Sequence, residues 1–288
     1  DNMKKVLLLS SLAVSGVILA GCGSGGSTGG VTLDTLLEES NKVMDSVKSV
    51  STNINIDVEM DMSASTGGND TSFEIKMTGE GVLEAVLDNF AAHQVMNMNV
   101  SLYNVDQASS IETYMIADAN NSKKVDVYTN SVSNDAESGW LHTSIDMEDA
   151  SKKLNSNLYN LYTNSKDSFS LEKKTKQFEG SECYVVNAKL GFKDIANYAG
   201  EILSQLDVDE NSDLKIDTVY YIDKETKEVK GAEVDMADTM KSLLEESAQQ
   251  SSNTGIKINI KAFKVTSENT YNTVTSIDIP KEVTEAAN

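Results

Sequence analysis

Apolar residues at Leu33, Leu36, Leu37, Val43, Met44, Val47 and Val50 recur at spacings that stripe one face of a helix. The pattern then changes period. Ile54, Ile56, Val58, Met60 and Met62 alternate with Asn55, Asp57, Glu59 and Asp61, which predicts a long strand with one buried face and one wet, acidic face. The same alternation marks Phe73, Ile75 and Met77, and Met96, Met98, Val100 and Leu102. Shorter strands are predicted around Ile111 to Ile116, Val125 to Tyr128 and Trp140 to Ile145. A second helix is read from Met147, Ala150, Leu154, Leu158, Leu161 and Tyr162, with Asp146 as N-cap. A third carries Ile195, Tyr198, Ala199, Ile202, Leu203 and Leu206, after a strand pair around Phe178 and Tyr184 to Leu190.

Ile216 to Ile222 and Val229 to Met236 flank the polar segment 223–227, which has the character of a hairpin loop. A short helix is expected over Met240, Leu243 and Leu244. Ile256, Ile258 and Ile260, then Val274, Ile277 and Ile279, are read as the closing strands, with the one proline, Pro280, just beyond them. The chain shows neither βαβ alternation nor a Gly-rich phosphate loop. About ten or eleven antiparallel strands with two or three helices remain. A single curved sheet wrapped around helices lets each strand bury one face, so the expected class is α+β and mostly β.

Composition narrows the partners. The 288 residues are 39% hydrophobic, 24% charged and 6% aromatic, which is globular arithmetic. The formal charge is −21, from 45 acidic residues against 24 basic ones, and every basic residue is a lysine. Nucleic acid is excluded, because a phosphate surface needs clustered cations and bidentate recognition needs the guanidinium that this chain lacks.

The N-terminus reads as an address. Met3-Lys4-Lys5 precedes the apolar run Val6 to Ala20, which is short for a membrane span but suits an export signal, and the run ends at Leu19-Ala20-Gly21-Cys22. This resembles the lipobox of bacterial lipoproteins. The resemblance implies cleavage after residue 21, so that 1–21 is a signal peptide and the Cys22 thiol takes a diacylglyceryl group. The competing reading is an uncleaved anchor with an incidental cysteine. Cleavage takes Asp1, Lys4 and Lys5 and leaves the mature chain near −22. Two acyl chains on one cysteine hold a protein at a membrane stably. The lipidated Cys22 and a Gly/Ser tether make up 22–30, the eight tether residues reaching roughly 16 Å, and one folded domain is expected over 31–288.

Several segments together resemble the LolA/LppX-type lipoproteins: the lipobox, the first helix running into STNINIDVEMDM, the turn and strand from Gly180 to Val186, YYIDKETKEVKGAEVDM, and the closing YNTVTSIDIPKEV. The resemblance implies an open half-barrel, a single curved antiparallel sheet with helices on the concave face, whose enclosed space accepts acyl chains. LolA-like members carry lipoproteins between membranes and mycobacterial LppX-like members bind lipids. The arginine chemistry associated with LolA has no counterpart here, and Cys22 is the one site residue carried over.

The candidate sites follow from both readings. Met60, Met62, Met77, Met96, Met98 and Met115 line a pliable apolar cavity on one reading and fill an ordinary core on the other. Asp207, Asp209, Asn211 and Asp213 copy the start of a calcium loop, but Ser212 and Thr218 replace its glycine and its bidentate glutamate, so a solvated acidic loop is expected and no metal site. His93 and His142 lack zinc-site company and are expected on a strand surface or edge. Ser170 and Lys173 have the spacing of a penicillin-binding motif without its partner motifs. Cys183, unpaired once Cys22 is acylated, is expected as a small apolar filler.

No nucleophile has a base and an orienter, so no enzyme and no cofactor are expected. The expected function is that of a lipid-anchored protein at the extracytoplasmic face of a Gram-positive cell membrane, binding or carrying a lipid or other apolar ligand. The alternative is a non-catalytic interaction module that meets another envelope protein through its acidic face.

Overall fold

A computed structural model describes residues 27–66, 69–102, 105–134, 136–148, 158–191, 213–250 and 256–286. The expected signal peptide, Cys22, most of the predicted second helix, the whole predicted third helix and Asp207, Asp209 and Asn211 lie outside these residues. Of the tether, Ser27–Thr28 (β1) pairs with Val31–Thr32 (β2) across Gly29 and Gly30, both at positive φ, as such a tight turn requires. Thr32 then caps the first helix, α1 (Leu33–Met44). Its hydroxyl accepts the Thr35 N–H, and the Thr35 hydroxyl accepts the Thr32 N–H in return.

The remaining strands form one antiparallel sheet: β3 (Ser49–Thr66), β4 (Asn69–Val86), β5 (Ala91–Leu102), β6 (Val105–Ala117), β7 (Lys124–Ser133), β8 (Ala136–Glu137), β9 (Leu141–Asp146), β10 (Phe169–Leu171), β11 (Lys176–Phe178), β12 (Ser181–Gly191), β13 (Lys215–Asp223), β14 (Val229–Asp235) and β15 (Ile256–Tyr271). The order is β10-β12-β13-β14-β15-β3-β4-β5-β6-β7-β8, with β11 also on β12 and β9 also on β7. The sheet is not closed into a barrel. Helices α2 (Leu158–Asn164), α3 (Ala237–Gln250) and α4 (Lys281–Ala286) and a 3₁₀ turn at Lys166–Ser168 complete the described elements.

Strand parity assigns the faces. Along β3 the even positions from Val50 to Met60 are buried, and the pairing carries that face through the odd positions of β4 and the even ones of β5. Two clusters occupy this inner face. At the end where β3 begins, Leu33, Leu36 and Leu37 of α1 and Leu158, Leu161 and Tyr162 of α2 pack on Val50, Leu83, Val186, Tyr220 and Ile222. At the other end, Met240 and Leu244 of α3 pack on Ile54, Ile56, Val58, Phe263 and a group of methionines. Helices therefore cover the inner face, as expected of a half-barrel. The short α4 is an exception, with Glu282 near enough to Tyr114 on the outer face to help raise its pKa.

Two hairpins follow their turn chemistry. Glu179 and Gly180, both at positive φ, join β11 to β12 in a two-residue turn of the kind that matches strand twist. Between β13 and β14, the Asp223 carboxylate accepts the N–H groups of Glu225 and Thr226 at 2.8 and 2.9 Å, which fixes the predicted loop.

The closing strands differ from the sequence reading. β15 runs unbroken from Ile256 to Tyr271, and a bulge at Lys261 shifts its register against β3. Residues 272–280 form no strand, so Val274, Ile277 and Ile279 are not paired in the sheet. Asn272 explains the stop. It takes a left-handed φ of 58°, donates its N–H to the Ser49 carbonyl and accepts the Lys48 N–H, both at 2.8 Å, which turns the chain off the ladder. The chain beyond Pro280 forms α4.

Candidate functional site

The inner face is the one large apolar surface that the fold organises. Met60, Met77, Met96 and Met98 are all buried in the α3-side cluster, and Met62 packs at its margin. Met115 lies apart, against the cluster under α1 and α2. The structure thus gathers five of the six methionines and separates the sixth. Two glycines of β4 shape the gathering: a Cβ on Gly79 would stand 2.5 Å from the Met98 Sδ, and one on Gly81 would stand 2.5 Å from the Met96 Cε. Thioether chains lie flat across a backbone stripped of side chains, so Met96 and Met98 fill the space over β4. An open cavity of about 580 Å³ begins where this packing ends, with Met62, Phe73 and Ile258 at its wall and Asp61, Glu74 and Lys257 at its rim.

No inward position of the central strands carries a charge. From Tyr184 to Leu190 in β12, and along β13, β14, β15, β3, β4, β5, β6, β7 and β9, the parity that the pairing fixes places only apolar, hydroxyl or amide side chains on the inner face. Glu182, one step beyond on β12, turns to the Thr175 hydroxyl and the Lys224 ammonium at 2.7 and 2.9 Å. That contact holds its carboxyl below the usual range.

The wing formed by β6, β7 and β9 is less covered than the rest. Val105, Ile111 and Leu141 point to the inner face yet are 59%, 45% and 62% exposed. Between them stand Gln94, Thr113 and Thr129 in one cross-strand row, with the two threonine hydroxyls 3.4 Å apart, and Thr143 one row away. Sequence reasoning did not single out this wing. β-Branched and hydroxyl residues suit either face of a strand, so their alternation marks a strand without marking what covers it.

Among the described strands, the outer face holds the charge and both histidines. His93 Nε2 lies 2.8 Å from Glu112 Oε1, and its ring stacks on Tyr114 at 4.2 Å. On edge strand β9, His142 Nε2 lies 2.9 Å from Asp126 Oδ1, and its ring stacks on Tyr128 at 4.7 Å. Both are strand-surface residues, as expected, and Trp140 leans on Tyr114 at 5.8 Å. Lys261, on the bulge, reaches Glu59, Asp61 and Glu74 at 3.0, 3.0 and 2.9 Å. Cys183 is buried with Phe178, Val185 and Tyr221 in a small outer cluster, and burial pushes its thiol up to about 11, so it sits as an apolar filler. Among the described residues no three His, Cys, Asp or Glu side chains group as metal ligands. Asp213, the one described member of the acidic loop, is exposed.

Residues 32–288 match the model of a family of unknown function, DUF6612. No curated protein matches the chain. Solved structures similar to it include the lipoprotein LppX of Mycobacterium tuberculosis, at 9% identity over 85% of this chain and 97% of that one, with a TM-score of 0.34. LprF of Mycobacterium bovis is similar at 8% identity over 85% and 95%, with a TM-score of 0.42. A LolA superfamily protein of Nitrosomonas europaea is similar at 8% identity over 86% and 95%, with a TM-score of 0.22. LppX and LolA are the two kinds of protein that the sequence texture resembles.

Proposed function

We propose, for a chain that belongs to the DUF6612 family and so takes no assigned activity from it, an extracytoplasmic lipoprotein that holds an apolar ligand, a lipid, against the inner face of its sheet. The observation that carries the reading is the wing of β6, β7 and β9, where three apolar side chains face inward and stay largely exposed. Fully covering one such side chain is worth about 1.5–3 kcal/mol, so an acyl chain laid over three that are about half exposed gains about 2–5 kcal/mol from them alone. The neighbouring cavity at Met62 and Phe73 extends the same surface, and the methionines beside it supply adaptable walls. The reading includes no covalent chemistry. Cys22 anchors the mature chain to the outer face of the cell membrane through its diacylglyceryl group.

Native mass spectrometry and lipid extraction of the full chain purified from membranes test the ligand. Co-purifying lipid beyond the Cys22 anchor is expected, and Ile111→Glu is expected to lower its yield about tenfold or more, because it puts a carboxylate under the acyl chain. A protein that emerges free of lipid and takes none up from vesicles overturns the reading. For the anchor, Cys22→Ser is expected to abolish metabolic labelling with a radioactive fatty acid.

A further inference from the structure

We propose that the bound lipid carries no net negative charge, and that the wing selects for an uncharged, hydroxyl-bearing headgroup such as that of a diacylglycerol. This rests on the lipid-binding reading above and adds the chemical class to it. The argument begins from the partition of charge. In a chain with 24 lysines and 45 carboxylates, the inward positions of the central strands hold neither sign. Apart from Lys257 at the cavity rim, a phosphate brought onto the described inward positions of these strands would leave water without meeting an ammonium of theirs, and the chain has no guanidinium at all.

The one lysine on β6, β7 and β9 is turned away from the inner face. Lys124 opens β7 on the outer face and is held there by Asp146 at 3.0 Å. The outer positions of the same strands present Asp106, Glu112 and Asp126, one backbone thickness from the ligand, and their field disfavours an anion further.

What the wing does offer is neutral hydrogen bonding. Gln94, Thr113 and Thr129 stand in one row across β5, β6 and β7, and Thr143 lies beside Leu141 and Ile145 on β9. Each hydroxyl both donates and accepts, and the amide supplies one group of each kind, which matches a headgroup of free hydroxyls and ester carbonyls. The row is flanked by the exposed Ile111 and Leu141. A hydroxylated headgroup can therefore meet the row while its acyl chains cover the apolar neighbours.

The test offers the full chain dioleoylphosphatidylcholine vesicles that carry equal mole fractions of 1,2-dioleoylglycerol and dioleoylphosphatidylglycerol. The protein is then re-isolated and its lipid counted by mass spectrometry. Because the acyl chains are identical, only the headgroup can discriminate. Dioleoylglycerol is expected in at least about tenfold excess over dioleoylphosphatidylglycerol, corrected for vesicle content, since an anion left unpaired against strands whose described inward positions carry no cation costs at least that factor. Thr143→Lys places an ammonium in the wing at an exposed inward position and is expected to move the ratio toward the anionic lipid. Ser144→Lys, one residue on and facing outward, is expected to leave it unchanged. Phosphatidylglycerol recovered at parity or above by the unaltered chain, or a ratio blind to Thr143→Lys, overturns the headgroup assignment and leaves lipid binding standing. Recovery of no lipid of any class overturns both.

Discussion

A Cβ on Gly81 would meet two atoms of different kinds, the movable Met96 Cε at 2.5 Å and the fixed Val95 carbonyl oxygen at 2.9 Å. On Gly79 the nearest atom is the Met98 Sδ, and Ile56 follows at 3.2 Å. Side-chain ends can yield where a neighbouring strand's backbone cannot. Gly81→Ala is therefore expected to cost more than Gly79→Ala, with the former in the range of about 1–3 kcal/mol, measured by urea unfolding. Single ionisable groups set the alkaline limit. Burial raises the Cys183 thiol from 9.0 to about 11 and the Tyr114 and Tyr221 hydroxyls from 10.0 to about 12. A raised pKa means that the folded state disfavours the charged form. The contribution is thus whole below pH 9 and is lost as pH rises through 9 to 12. The melting temperature is expected to hold flat to about pH 9 and fall beyond it, and Cys183 should resist thiol reagents at pH 8 until denaturant is added.

At the scale of the element, β15 shows what periodicity hides. Ile256, Ile258 and Ile260 alternate on even numbers, while Phe263 and Val265 alternate on odd ones, and both sets face inward because Lys261 is an extra residue between them. Two alternations out of phase by one residue are a bulge written in sequence, and reading only the first of them shortens the strand. The second half is also obscured by its inward polar residues. Ser267 and Asn269 interrupt the apolar series, although Asn269 is satisfied by Thr52 and the Val229 carbonyl at 2.8 and 3.1 Å. Deleting Lys261 would restore regular pairing with every inward residue still inward, so this variant is expected to fold. It would lose only the exposed ion pairs to Glu59, Asp61 and Glu74 and show a modest drop in melting temperature. Deleting Thr266 instead would turn Ser267, Asn269 and Tyr271 outward, and loss of the near-ultraviolet circular dichroism of the native fold is expected. By contrast, β3 was legible from strict alternation, because nothing in it breaks phase, and the hairpin at Asp223 from its turn chemistry, although a register shift beside Tyr221 and Ile222 puts Val229 and Ala232 on one face.

Across the whole molecule, the mostly β class and the helix-covered inner face followed from one-sided strands that must bury something. The candidate site was legible only in part. Methionines mark an apolar face, but whether each lies packed or open depends on the glycine opposite and the helix above, neither of which has a sequence signature of its own. The charged side chains of the described central strands stand on the outer face, where lysines such as Lys261 offset part of the acidity. Like charges on one side of a sheet repel, so the melting temperature is expected to rise by a few degrees as salt is raised from about 0.01 to 0.3 M, where the Debye length shortens several-fold. The partition also bears on ancestry. Each strand interleaves two texts, one letter for the solvent and the next for the interior. Selection can rewrite the inward letters, and so reshape the apolar interior, while the outward letters keep the solvated face untouched.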